Sequence, residues 1–126
     1  MNKKDKDLLI KDLSARVFYG VKVDIERDFP NNPQIVERIA KDGEIIVNGI
    51  LAYDIYYYKP YLRPMSSMTE KEENELVTVC VNGGYKNSVF KSYLVDDWLL
   101  AHHFDFRGLI EKGLALEAPE GMYKNK

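Results

Sequence analysis

The chain carries two turn signals six residues apart, Asp42-Gly43 and Asn48-Gly49, and nothing else in it limits the fold as tightly. Such pairs favour positive φ at both central residues, the geometry of a tight antiparallel hairpin. Closing a two-residue loop at each sets the register by counting. Around the first, Lys41 faces Glu44, Ala40 faces Ile45, Ile39 faces Ile46 and Arg38 faces Val47. Around the second, Val47 faces Ile50, Ile46 faces Leu51, Ile45 faces Ala52 and Glu44 faces Tyr53. Both registers gather Ile39, Ile46, Leu51 and Tyr53 on one face, continued by Ile55 and Tyr57. Gly43 and Gly49 are therefore structural residues. The opposite face, with Val36, Ala40, Ile45, Val47, Ile50 and Ala52, is also apolar and needs a helix or a partner to cover it.

This three-stranded meander gains a fourth strand from Val21–Ile25, where Val21, Val23 and Ile25 alternate with Lys22 and Asp24. Before it, residues 3–17 form a charged helix with Leu9, Ile10, Leu13 and Val17 at helical spacings. After it, Lys59–Pro64 reads as a stiff, extended exit. Thr69-Glu70-Lys71-Glu72 is a capping box that starts a helix. Leu76–Val81 suits helix and strand equally, and Asn82-Gly83-Gly84 ends it. Phe90, Leu94, Trp98 and His102 form a second helical stripe, which makes Trp98 and His102 structural, and Arg107-Gly108 turns a corner. The expected fold is α+β: an N-terminal helix, a small antiparallel meander of three or four strands, and C-terminal helices packed on the sheet. Residues 1–126 are read as one domain with flexible ends near 1–5 and 120–126.

Charge narrows the function classes. The net charge is −2, and residues 1–65 hold eleven Lys/Arg against ten Asp/Glu, so no part is a polycation of the kind nucleic-acid binders carry. Cys80 is the only cysteine, which rules out an intrachain disulfide and a thiolate cage and reads as a small buried hydrophobe. Leu8-Leu9-Ile10 is too short for a signal segment or a membrane span, so a cytoplasmic location is expected.

Three clusters invite chemistry. Tyr56, Tyr58, Lys59, Tyr61 and Arg63 mix aromatic and basic groups as single-strand binders do, although alternation sends Tyr57 to the other face. His102-His103 is followed by Asp105, yet adjacent helical side chains point about 100° apart and do not share a metal without a distant third ligand. Asp96 and Asp97 diverge for the same reason. No metal, cofactor or catalytic residue is expected.

Two segments carry a resemblance. Lys59–Glu72, KPYLRPMSSMTEKE, and Asp96–Pro119, with the run DWLLAHHFDFRGLIEKGLALEAP, resemble a family of small uncharacterised proteins recurrent in prophages and mobile elements of gut bacteria. The resemblance implies an accessory role and no mechanism. The expected function is a protein-interaction module, with a protein partner or self-association. A nucleic-acid-binding module using residues 56–63 is the alternative, and an enzyme has the least support.

Overall fold

A computed structural model describes residues 1–84 and 92–123 of the chain. Helix α1, Lys3–Arg16, is capped by Asn2, whose side chain accepts from the Asp5 N–H at 2.7 Å. Its buried face is Leu9, Asp12, Leu13 and Arg16, one stripe at spacings of three and four. Sequence periodicity finds Leu9 and Leu13 but not their charged neighbours, because apolar counting passes over a buried ion pair. A short 3-10 turn, Val17–Tyr19, ends at Gly20, whose φ is 75°.

Six strands follow: β1 (Lys22–Asp24), β2 (Gln34–Ile39), β3 (Ile45–Val47), β4 (Leu51–Tyr53), β5 (Lys59–Leu62) and β6 (Leu116–Glu117). Their spatial order is β4-β3-β2-β1-β5-β6, antiparallel throughout except for the parallel β5–β6 pair. The expected meander and its fourth strand are thus the first four strands. The exit segment is a strand as well. Pro60 pairs with Val23 of β1, and β6 begins only opposite Tyr61, so Pro60 stands where β5 has a neighbour on one side.

The register differs from the counted one by a residue at both hairpins. Ile39 faces Ile45, and Val47 faces Leu51. The first loop holds three residues, Lys41-Asp42-Gly43. The Ala40 N–H donates to the Glu44 carbonyl at 2.8 Å, Gly43 donates back to Ala40 at 2.9 Å, and Gly43 alone takes positive φ, 92°. This is a type I turn closed by a left-handed residue, the next commonest hairpin solution. It is clamped from outside, because the Tyr58 hydroxyl donates to the Gly43 carbonyl at 2.6 Å. In the second loop Asn48 and Gly49 both take positive φ, 51° and 84°, but pairing resumes only at Leu51 and leaves Ile50 out. A one-residue slip exchanges faces. The buried set is accordingly Val36, Ile45, Val47 and Tyr53, with Ile39 and Leu51 packed against it, while Ala52 and Ile50 are exposed.

Leu9 and Leu13 of α1, Val21, Val23 and Ile25, Ile55, Tyr58 and Leu62, and Leu109, Leu114 and Ala115 complete this core. Ile55 and Tyr57 do not extend the meander, since Ile55–Tyr57 is a 3-10 turn capped by Asp54. Helix α2, Glu70–Gly84, runs through Leu76–Val81, so those residues are helical, and Cys80 is half-buried rather than enclosed. It packs on α3, Ser92–Ala101, which in turn touches α1. Phe90, the first member of the expected stripe, lies outside the described residues. No helix among the described residues is long and apolar enough to cross a membrane.

One buried network joins the two ends of this fold. The Asp12 carboxylate accepts from Arg16 at 2.7 and 3.1 Å and from Arg107 at 2.6 Å. Arg16 also donates to the Phe104 carbonyl at 2.7 Å.

Three substitutions probe these contacts. A Cβ on Gly43 would meet Ile55 Cδ1 at 3.0 Å, whereas one on Gly49 meets nothing within 4 Å. Gly49→Ala should cost about 1–2 kcal/mol from its left-handed backbone alone. Gly43→Ala should exceed it by a further ~1–3 kcal/mol of overpacking in urea unfolding. Asp12→Asn, which strands two guanidinium groups, should cost about 3–5 kcal/mol by the same measurement.

Candidate functional site

The aromatic–basic segment does not form one site. The 3-10 turn exposes Tyr56 and Tyr57 together, at 60% and 50%, and buries Tyr58, reversing the alternation expected of a strand. Tyr56, Tyr58 and Lys59 line a cavity of about 500 Å³ with Asp24, Glu26 and Arg27, and the Arg27 guanidinium lies 4.7 Å from the Tyr57 ring. Tyr61 is half-buried, its carbonyl accepting from the Tyr123 hydroxyl at 2.8 Å. Arg63 belongs to another place. It makes a bidentate pair with Glu72, both bonds 2.7 Å, and covers the Phe104 ring at 4.1 Å. Its positive charge is therefore already matched by a carboxylate.

Arg63 and Glu72 border the larger cavity, about 630 Å³, between β5, the start of α2, the end of α3 and residues 117–123. Glu72 has two duties there. As the last residue of the capping box it accepts from the Thr69 N–H at 3.0 Å, while Thr69 Oγ1 accepts from the Glu72 N–H at 3.2 Å. The Arg63 hydrogen bonds, helped by Thr69 and opposed by burial, hold the Glu72 carboxyl down at about 2.

The other wall is the end of α3. The His103 N–H donates to the Leu100 carbonyl and the Phe104 N–H to the Leu99 carbonyl, each at 3.0 Å. These are the two bonds of a Schellman motif, which places a left-handed residue after the helix cap. Glycine is favoured in that position, yet His103 occupies it with φ 65°. The backbone is gripped on the far side too. Arg63 N–H donates to the His103 carbonyl at 2.7 Å, and Asp105 N–H donates to the Arg63 carbonyl at 2.8 Å.

His102 and His103 consequently have different surroundings. His102 Nδ1 lies 2.8 Å from the Trp98 carbonyl, and its ring stacks on half-buried Trp98 at 4.0 Å. Trp98 stacks in turn on Phe104, and Arg107 bonds Asp12. His103 is 8% exposed, stacks on Tyr123 at 3.6 Å, and its Nδ1 is buried without a hydrogen-bond partner among the described residues. Burial, and then the charges of Arg16, His102, Arg63 and Lys22, push the His103 imidazole down to about 4, so it is neutral at pH 7. Among the described residues no group of three or more His, Cys, Asp or Glu is arranged to hold a metal ion.

Sequence reasoning weighed His103 only as half of a metal-binding pair and passed over Tyr123. Tyr123 falls in the stretch expected to be a flexible end, but its hydroxyl accepts from the Lys22 N–H at 2.8 Å. One sequence signal for His103 was available: a helix running into His-His-Phe with no glycine to close it.

The two titrating groups separate in pH. A histidine held below its unfolded value of about 6.5 contributes stability that is complete above that value and falls as pH drops toward 4. Glu72, held below 4.5, contributes stability that is lost only between about 4.5 and 2. Unfolding measured against pH should show two acid losses, with the upper one missing in His103→Gly and the lower one missing in Glu72→Gln.

No protein-family model, curated protein or solved structure matches the chain, so fold and cavity stand on their own geometry.

Proposed function

We propose that the protein is a protein-interaction module that binds through an apolar patch around β2. The observation that carries this reading is Phe18, 91% exposed in the turn that follows α1. Phenylalanine has no polar tip with which to offset such exposure. The turn lies against β2, where Ile35 is 52% exposed on the side opposite buried Val36. Ile50, 86% exposed, extends the patch from the β3–β4 loop, which is tied to β2 by the Gly49 N–H donating to Glu37 at 2.9 Å. Exposed apolar side chains on elements that adjoin one strand favour an interaction surface over a solvated one. The resemblance to prophage proteins fits an accessory binding role of this kind.

Nucleic-acid binding has less in its favour. Tyr56 and Tyr57 offer exposed rings, and Arg27 stands over one of them. Asp24 and Glu26 line the same cavity, however, and the Arg63 guanidinium, past the far end of β5, is committed to Glu72. Carboxylates beside the stacking rings repel a phosphate backbone.

The test carries a photo-crosslinkable phenylalanine at position 35, exposed on β2, in the native host, in the parent chain and in Phe18→Asp, Ile50→Asp and Tyr57→Ala. The two aspartate variants should keep their stability within about 0.5 kcal/mol, as surface substitutions do. They should also lose the protein, or the second copy, that the parent captures. Tyr57→Ala should keep it. Capture unaffected by both aspartates would refute the reading, and nucleic acid recovered only with Tyr57 present would install the alternative.

A further inference from the structure

Residues 119–123 are fastened to the fold almost entirely by one side chain. The Ala118 N–H donates to the Leu62 carbonyl at 2.8 Å, and beyond it the segment makes no backbone–backbone hydrogen bond to another described element. Its own bond is internal, from the Met122 N–H to the Pro119 carbonyl at 3.1 Å, with Gly121 at φ 84° in the turn. Tyr123 does the holding. β1 and β5 pair at Val23–Pro60 and Asp24–Lys59, and the next position sets Lys22 opposite Tyr61. There the Tyr123 hydroxyl accepts from the Lys22 N–H and donates to the Tyr61 carbonyl, each at 2.8 Å. Lys22 Nζ adds a 3.3 Å bond to the Met122 carbonyl. The Tyr123 ring stacks on the His103 imidazole at 3.6 Å.

That ring covers a group with nothing to balance a positive charge. Arg16 of α1, His102 at the end of α3, Arg63 beyond β5 and Lys22 of β1 all act on the imidazole with the same sign. Among the carboxylates that line the cavity beside it, Glu72 is paired with Arg63. Glu75, Glu117 and Glu120 make no ion pair with His103. Lys22 Nζ, already 5.8 Å from the centre of the Tyr123 ring, repels a second cation stacked on it. A buried imidazolium here lacks both a counter-ion and water, so its cover has to yield. Elsewhere His103 is gripped by backbone bonds, its N–H to Leu100 and its carbonyl from Arg63, so the segment without such bonds gives way. We propose that residues 119–123 are a strap that closes over the His103 imidazole and swings away when the imidazole takes a proton. Burial and the surrounding charges keep His103 neutral at pH 7, so the strap is closed there and opens as pH falls toward 4. Opening removes one wall of the 630 Å³ cavity, the wall of Pro119, Glu120, Gly121 and Tyr123.

The experiment is NMR of the isotope-labelled full chain from about pH 7.5 to about pH 3.5, a range that brackets the histidine titration. The His103 ring and the backbone of residues 119–123 are followed in the same samples. Order parameters of Glu120–Tyr123 should fall from about 0.85 to below about 0.6 in step with the His103 titration. The resonances of α1 and of β2, β3 and β4 should keep their native positions meanwhile. His103→Asn suits the left-handed backbone and has no imidazole to titrate, so its strap should stay ordered throughout. Tyr123→Phe keeps the stacked ring and loses both hydroxyl bonds. It should loosen the strap at neutral pH and raise the His103 midpoint by at least about one pH unit, since opening and protonation are linked. The proposal is overturned if the strap stays ordered while His103 titrates, or if His103→Asn releases it at the same pH. It is equally overturned if the native resonances of α1 and the sheet are lost together with the strap, or if Tyr123→Phe leaves the midpoint unmoved.

Discussion

The buried Asp12 carboxylate and the two guanidinium groups on it are the contact on which the rest of this structure turns. Asp12 and Arg16 are both fully buried, and removing two charges from water is costly unless geometry and further hydrogen bonds compensate. Here they do so in large part. The carboxylate takes three donors, and Arg16 Nη2 also reaches the Phe104 carbonyl, while Arg16 Nη1 finds no partner among the described residues. Since that carbonyl belongs to the segment whose neighbours bracket Arg63, just past β5, the network sets α1, the end of α3 and the end of β5 in one arrangement. An apolar stripe alone would allow α1 to slide along the sheet. The ion network permits one position.

Much of the architecture was legible in the sequence, for reasons specific to particular residues. Val21, Val23 and Ile25 alternate strictly and became the buried side of β1 and its flanks, because one face of that strand meets the core. Thr69 and Glu72 form their reciprocal capping bonds as the four-residue spacing requires. The hairpin register was not legible to the last residue. Asp42-Gly43 permits a two-residue and a three-residue loop alike, and the choice was made from a distance by the Tyr58 hydroxyl on the Gly43 carbonyl. Local turn chemistry located the reversal, while a tertiary contact chose its length.

The candidate sites were less legible still. Counting in twos along Tyr56–Tyr58 assumed a strand, and Asp54, by capping a 3-10 turn, moved Tyr57 to the side of Tyr56 and sent Tyr58 inward. Arg63 looked like a free cation because its partner lies nine residues on, in a helix whose cap seemed to account for Glu72 completely. His103 was hidden by its neighbour. His102 continues the Trp98 stripe and so absorbed the interpretation of the pair, while the residue after it leaves the helix with the opposite sign of φ. Periodicity describes residues inside an element and says little about the first one past its end.

The bond between the Lys22 N–H and the Tyr123 hydroxyl spans 101 positions, and the one between Arg16 and Phe104 spans 88. Both anchor elements from the first fifth of the chain, β1 and α1, to segments beyond residue 100. Contacts so distant in sequence carry a large loop-closure entropy and are associated with slow folding. During synthesis the early hairpins can form as they emerge, but Arg16 and Asp12 must wait, unburied, until Phe104 and Arg107 arrive. A ribosome-bound chain of a hundred residues would accordingly hold a partial sheet and a detached first helix. Its compaction would come in one late step, as residues 104–123 leave the tunnel.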